Sequence, residues 1–531
     1  MSGPAELLFP LIWSVLPKPL RERFSAQILS YRARTSIQVP VSNAVVFTRV
    51  EAQKKQFRAQ LHPEISPNPA ESLELPAYSL LSTCFNERGS IAKLLESVLS
   101  QQHLPVELII VDGGSTDGTP DEIERFMAER AEARGGLPFR LRVERGARLN
   151  IAEGRNRAAA LASEQILAFT DAGCELDRFW SERLLEPFAR LPELEVSMGW
   201  YRAITEDPFS DAMTTYLVPQ LSAVEPATFL PSARSMAVTA DSFRLTNGFP
   251  EYLSLAGEDS LFDYYLKCAV RKVAFVPDAV VFWHFPKSAP RIFRTAKNYA
   301  QGDAEGGKLF WQYYLNLSEV LAKVCFELAI FLCFGLLSDL TRLRPLLYVG
   351  AVFAVSGTIR YLFTLFRYHP LRGAGFLSAG GIRKLLAVQL MVWAQFVGFC
   401  AGLRNRRRIE RRRMERATAG HVVLLLPIAP RRGERSPEMN RLLELLNSSY
   451  FVTVICAAYP KTADSGQDKM LFEHQFAEMY LRSAFQMEPW EQKVLPTVGQ
   501  GRALLVIDRV SDSLSKLAVE SFVRLGATVA E

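Results

Sequence analysis

The chain has 531 residues, 49% hydrophobic and 22% charged, with 62 Lys and Arg against 56 Asp and Glu for a formal net charge of +6. At ~150 residues per domain this length calls for about three or four structural units and excludes a single small binding module, and the composition excludes disordered and fibrous chains. The seven cysteines are odd in number and never at CxxC spacing, which predicts reduced thiols, with no zinc site and no disulfide framework.

Residues 1–75 show no pattern beyond mixed helix and loop. The apolar stretch at 7–16 is short, interrupted by Pro10 and preceded by no basic residue, so no secretory signal is expected. Strands are predicted over Tyr78 to Phe85, Val106 to Asp112, Arg140 to Glu144, Gln165 to Asp171 and Lys272 to Trp283. Between the first two, Ile91, Leu94, Leu95, Val98 and Leu99 fall at the i, i+3, i+4, i+7, i+8 spacing of an amphipathic helix. Strands alternating with helices predict βαβ units and a mostly parallel sheet, where ligands sit at the carboxyl ends of the strands. Three strand ends finish in polar clusters: Asn86-Glu87-Arg88, Asp112 to Gly118, and Asp171-Ala172-Gly173. One such cluster is an ordinary turn. Three on one edge make a carboxylate-lined crevice suited to a divalent cation and a diphosphate.

The segments YSLLSTCFNER, ELIIVDGGSTDGT, GRNRAAALASEQILAFTDAG and LAGEDSLFDYYL, in that order and spacing, resemble a family 2 glycosyltransferase with the GT-A fold over roughly residues 77 to 305. The resemblance implies an α/β, Rossmann-like nucleotide-diphospho-sugar transferase domain, placed at 76–310. It further implies that Asp112 contacts the nucleotide base, with Thr83, Asn86 and Glu87 lining the same pocket. Arg155 and Asn156 match the family's RN pair, which stabilises the site. Asp171 matches the first carboxylate of the DxD motif, which holds Mn²⁺ or Mg²⁺ on the sugar diphosphate. Glu258 and Asp259 match the ED motif, whose Asp is the general base of inverting members. His284 falls where related domains place a His near the diphosphate and is a second metal candidate.

The chemistry suits these residue types. A sugar leaving a nucleoside diphosphate passes through an oxocarbenium-like state, so the departing charge needs a cation and the acceptor hydroxyl needs a base. One departure stands out: the second DxD position is Gly173, which offers no side-chain ligand, so Glu175 or Asp177 would have to assist. Cys174 reads as packing. Arg234, in PSARSMAV, divides evenly between a phosphate contact and an ordinary surface Arg.

Three apolar stretches follow within 318–403: Val320 to Leu337, Leu346 to Ile359 continuing to Phe366, and Leu385 to Leu403. Only the last is free of charge for 19 residues, near the ~20 needed to span a bilayer. A membrane region of two or three apolar helices is expected. The basic run Arg404 to Arg416, with eight Arg against two Glu, reads as a cytosolic anchor on anionic headgroups and, over 404–418, as a linker. Nucleotide sugars and the basic run both ask for the cytosol, which predicts an even number of crossings. Stretches one and two would form a hairpin, and the third would lie along or re-enter the membrane.

Beyond the run, HVVLLLP at 421–427, a helix near 437–447, 451–458, 503–510 and a helix at 511–525 predict a second small α/β domain over 419–531. It resembles the first half of a GT-B glycosyltransferase, with Arg431 to Ser436 replacing the Gly-rich loop. The whole predicts a membrane-bound, inverting glycosyltransferase, located at a bacterial inner membrane with its catalytic domain cytosolic. Its partners would be a nucleoside diphosphate sugar, a lipid-linked or glycan acceptor, and the membrane. Two other readings stay open: a different nucleotide-dependent transferase on the same fold, and a non-catalytic membrane scaffold. The basic run alone equals the whole +6, so the charge gives no argument for a specific nucleic-acid partner.

Overall fold

The computed structural model describes residues 73–306 apart from a few positions near 135, 219–228 and 271, short helical pieces within 329–351, residues 379–416, and mainly the strands of 419–530. The predictions for 1–72, for most of the first two apolar stretches, for the helices at 437–447 and 511–525, and for Arg431 to Ser436 fall outside the described residues. The chain divides into two compact units, one spanning Lys54–Arg416 and one holding most of the residues from Ala417 onward.

In the first unit the strands are β1 (Tyr78–Cys84), β2 (Glu107–Asp112), β3 (Arg140–Arg145), β4 (Ile166–Phe169), β5 (Cys174–Leu176), β6 (Val196–Ile204), β7 (Met236–Thr239) and β8 (Val273–His284). They form one eight-stranded sheet in the order β3-β2-β1-β4-β7-β6-β8-β5. The half from β3 to β4 is parallel, whereas β7 pairs antiparallel with both β4 and β6, and β5 pairs antiparallel with β8. Since β6 pairs parallel with β8, the sheet is mixed but parallel in most of its strands, with β7 and β5 the two that run the other way. Every residue of β2 is buried, as is all of β1 but Thr83. Such continuous apolar runs belong to central strands covered on both faces.

The helices are α1 (Ile91–Leu99), α2 (Thr119–Arg134), α3 (Ile151–Leu161), α4 (Trp180–Arg190), α5 (Pro208–Leu217), α6 (Ala240–Leu245), α7 (Glu258–Ala269), α8 (Ala289–Gly306) and α9 (Ala379–Glu415). The predicted amphipathic face of α1 buries Ile91, Leu94, Leu95 and Val98 against one side of the sheet. On the other side Phe169, Phe243, Phe249 and Phe262 form an aromatic cluster, with Phe249 and Phe262 centroids 4.2 Å apart. Burying four rings in mutual contact fixes the floor beneath the ends of β1 and β4.

The third apolar stretch and the basic run are one helix. α9 runs unbroken for 37 residues, so no linker separates 403 from 404. Its inward face lies on α8 at close range: a Cβ on Gly398 would fall 2.0 Å from the Lys297 carbonyl oxygen, and one on Gly402 would fall 2.4 Å from that of Gln301. Two glycines four residues apart let the helix backbones approach, as small residues do wherever helices cross tightly. Met391, Ala394 and Phe399 of that face are buried with α8. The expected re-entrant segment is therefore in part a packed core helix, and among the described residues no helix is long and apolar enough to cross a membrane.

In the second unit, β9 (Gly420–Ile428), β10 (Tyr450–Ala458), β11 (Ala477–Leu481), β12 (Ala503–Asp508) and β13 (Thr528–Ala530) form a sheet in the order β11-β10-β9-β12-β13. All four pairings are parallel. In chain order this is 3-2-1-4-5, the arrangement of doubly wound α/β sheets.

Candidate active site

The carboxyl ends of β1, β2 and β4 carry the three predicted clusters to one edge of the sheet. The loops after β1 and β2 interlock. Asn86, with a left-handed φ of 57°, donates its backbone N–H to Ser115 Oγ at 2.8 Å and accepts from the Thr116 N–H at 2.9 Å. The Glu87 N–H bonds Thr119 Oγ1 at 2.8 Å. Asp112 is buried and accepts from the Gly114 and Ser115 N–H groups and from Ser115 Oγ at 2.5 Å. It organises the loop from inside, a role the family match had not assigned. Thr83 sits under α3, its Cγ2 2.7 Å from where a Cβ on Gly154 would stand, so only glycine lets that helix approach the strand.

α3 starts with a capping box between Asn150 and Glu153, which satisfies two orphan donors and sets the helix angle. Arg155 lies one turn in. Buried at 3% exposure, it donates from Nη2 to Asp171 Oδ1 at 2.6 Å and from Nη1 to Glu258 Oε1 at 2.7 Å, with its guanidinium over the Phe249 ring. Asn156 acts on the adjoining loop: its amide bonds the Phe249 carbonyl and Glu251, and its Oδ1 accepts from the Phe249 N–H at 2.7 Å. The RN pair thereby joins the β4 end, the loop before α7 and the ED motif.

The electrostatics of the cluster separate its carboxylates. Burial works against a charged Asp171, but Arg155 and Arg234 outweigh it and hold the carboxyl below its usual range. Glu258 is pushed up to about 7 by burial and by Asp259, against the pull of Arg155. Burial raises the Glu87 carboxyl too, and Asp171 adds to this. Asp259 is half-buried, with Ser260 N–H 2.8 Å from Oδ1 and Ser232 Oγ 3.5 Å from Oδ2. Two consecutive residues in the first turn of α7 thus have different surroundings, one sunk on an Arg and one facing hydroxyls.

Sequence reasoning left Arg234 undecided, and the structure puts it in the cluster. It lies over the Trp283 ring at 4.6 Å and the Tyr201 ring at 5.3 Å, bonds Ser232 Oγ at 2.8 Å and Tyr299 Oη at 3.1 Å, and faces Asp171 Oδ2 at 3.4 Å from Nε. That Nε is buried without a hydrogen-bond partner. The guanidinium is thus held between two rings and against the Asp171 carboxylate. Tyr299, on α8, lies outside every motif the sequence offered.

The metal candidates converge in part. The His284 N–H bonds the Gly173 carbonyl at 3.2 Å, so its backbone adjoins the β4 loop, but its Nε2 hydrogen-bonds Glu175. A Cβ on Gly173 would lie 3.7 Å from both Glu87 carboxylate oxygens, so a carboxylate faces the place where the second DxD ligand is missing. Carboxylates and an imidazole suit Mn²⁺ or Mg²⁺ in kind. Among the described residues no three His, Cys, Asp or Glu side chains form a preformed cage. Cys174 is buried and its thiol is pushed up by burial, in keeping with packing.

The basic run also reaches this region, which its reading as a lipid anchor did not foresee. Ile409 is buried with Tyr252, Leu253, Leu261 and Tyr265. Arg413 lies over Tyr252, and Arg416, just past α9, pairs with both Glu153 and Glu251. These acids cap α3 and receive Asn156, so the end of α9 clamps the helix that carries Arg155.

Residues 79–236 match the family model described as glycosyl transferase family 2. Validoxylamine A glucosyltransferase of Streptomyces hygroscopicus subsp. limoneus is 30% identical over 121 residues, covering 22% of this chain and 25% of the relative. Polypeptide N-acetylgalactosaminyltransferase 5 of Caenorhabditis elegans is 33% identical over 122 residues, covering 22% of this chain and 18% of the relative. The chain thus spans about a quarter or less of the length of these curated relatives. Among solved structures, a mannosyltransferase of Pyrobaculum calidifontis in complex with GDP-Man and Mn²⁺ aligns with a TM-score of 0.37 at 18% identity, covering 68% of this chain and 96% of that one. Over residues 79–236 the chain is thus similar to the glycosyltransferases of family 2.

Proposed function

We propose that the chain is an inverting glycosyltransferase that moves a sugar from a nucleoside diphosphate donor to a lipid-linked or polysaccharide acceptor presented at a membrane. The observation that carries this reading is the split pair Glu258 and Asp259, of which one is buried on Arg155 and the other stands half-buried beside Ser232. Glu258 and Asp171 fix Arg155 between them, and Asp259 is left to take the proton of an acceptor hydroxyl. Arg234, the second guanidinium at Asp171, meets the charge that develops on the departing diphosphate. Asp171 and His284 would hold Mn²⁺ or Mg²⁺, which supplies further stabilisation of that leaving group. The loop ordered by Asp112, together with Thr83, Asn86 and Glu87, takes the nucleotide. The relatives' names agree on glycosyl transfer and differ in the sugar.

Membrane association is supported by residues 331–341, a helical stretch on which Leu332, Leu336 and Leu340 are exposed at i, i+4, i+8 spacing. A cytosolic catalytic domain follows from the location of nucleotide sugars. The test is a panel of UDP-, GDP- and dTDP-sugars incubated with the full chain, with Mn²⁺, with Mg²⁺ and with chelator. Cation-dependent release of one nucleoside diphosphate is expected, and binding without any turnover would instead favour a non-catalytic scaffold.

A further inference from the structure

We infer that the outward face of α9 is a docking surface for an anionic lipid bilayer, formed by Trp393 and Val397 at one end and Arg404, Arg407, Arg408 and Arg411 at the other. The inference deepens the membrane part of the proposed function and is independent of the catalytic assignment. An α-helix turns ~100° per residue, so positions 393, 397, 404, 408 and 411 share one stripe and 407 borders it. The burial pattern agrees. Trp393 and Val397 are 56% and 43% exposed, and the four arginines are exposed as well. The opposite face, with Met391, Ala394, Gly398, Gly402 and Ile409, is buried.

The stripe is therefore not the leftover surface of a core helix. One side of α9 is spent on α8 and on the cap of α3, and the other presents an indole and a valine that run into a row of guanidinium groups. Trp favours the headgroup level, aliphatic side chains the acyl boundary, and Arg the anionic phosphates. A nucleic acid would use the arginines but would leave Trp393 and Val397 without a partner in line with them. The exposed Leu332, Leu336 and Leu340 are a second apolar stripe in the same unit. An attachment made there alone would be indifferent to lipid charge, which separates the two.

The experiment is co-sedimentation of the full chain with vesicles of phosphatidylcholine alone and with about a third phosphatidylglycerol, at low and high salt. Wild type is expected to bind the anionic vesicles at least roughly tenfold more tightly than the neutral ones, with the difference shrinking in high salt. Replacing all four of Arg404, Arg407, Arg408 and Arg411 by Glu should abolish that preference, and Trp393→Ser with Val397→Ser should weaken binding to both vesicle types. None of these residues belongs to the site, so release of nucleoside diphosphate in detergent should be unchanged and reports that the variants fold. Equal binding of wild type and the four-Glu variant to anionic vesicles would overturn the inference while leaving a membrane-attached enzyme. So would wild-type binding to a single-stranded RNA oligonucleotide in preference to anionic vesicles.

Discussion

Arg155 and Glu258 are 103 positions apart in sequence and 2.7 Å apart in space, and the same guanidinium holds Asp171 at 2.6 Å. With side chains 4% and 7% exposed, they form a buried pair whose partners come from α3 and the start of α7. The link makes the β4 end and the ED motif one structural unit. Removing one member of such a pair leaves an uncompensated buried charge, which costs about 3–5 kcal/mol. Arg155→Met should therefore lower stability by about that amount in urea unfolding. Glu258→Gln, which keeps an oxygen for Arg155, should cost clearly less.

Glu258 also sets a pH dependence. Its folded carboxyl titrates near 7 against an ordinary 4.5, so the folded protein keeps a proton that the unfolded chain has given up. Stability contributed by that proton is present below the unfolded value and is lost as pH rises through about 7. Unfolding curves at several pH values should show this decline between pH 4.5 and 7 in wild type, and a smaller one in Glu258→Gln.

Arg234 should act on the diphosphate rather than on the nucleoside. Losing a hydrogen bond to a charged group costs about 1.5–3 kcal/mol, or roughly 10- to 100-fold in affinity. In calorimetric titrations Arg234→Ala should lose that much affinity for a nucleoside diphosphate and little for the nucleoside alone. Equal losses for both would assign Arg234 to folding.

The approach of α9 to α8 depends on Gly398 and Gly402. Gly402→Val would put a Cβ 2.4 Å from the Gln301 carbonyl oxygen, and such overpacking costs about 1–3 kcal/mol where the backbone must shift. Because Arg416 follows from α9 to the cap of α3, the variant should also reduce turnover. Thermal unfolding and nucleoside diphosphate release measured on one preparation check both effects.

Strands β1 and β2 were legible because continuous apolar runs ending in Asp or Asn signal buried parallel strands, and α1 because its apolar residues keep helical spacing. β6 and β7 were not. β6 is buried over its first half, so it lacks the alternation of a half-exposed strand, and Gly199 interrupts it where a Cβ would meet Ser235 Oγ at 2.0 Å. β7 has only four residues. At the site, Arg155, Asn156, Asp171, Glu258 and Asp259 were found through their motifs, but their connections were not, since all of them are long-range. Arg234 was undecided because burial between Tyr201 and Trp283 is a property of the folded sheet. α9 does more than its sequence indicated: the apolar stretch read as membrane has glycines that fit a neighbouring helix, and the charge run read as a lipid anchor and linker ends in an ion pair beside the site.

The most direct test is Asp259→Asn measured beside wild type in two assays, donor binding by calorimetry and transfer under single-turnover conditions. A general base contributes about 10²–10⁴-fold. The expected result is transfer reduced by roughly that factor with donor affinity unchanged within about twofold. Full transfer by Asp259→Asn would contradict the assignment of Asp259 as the base, and with it the proposed mechanism.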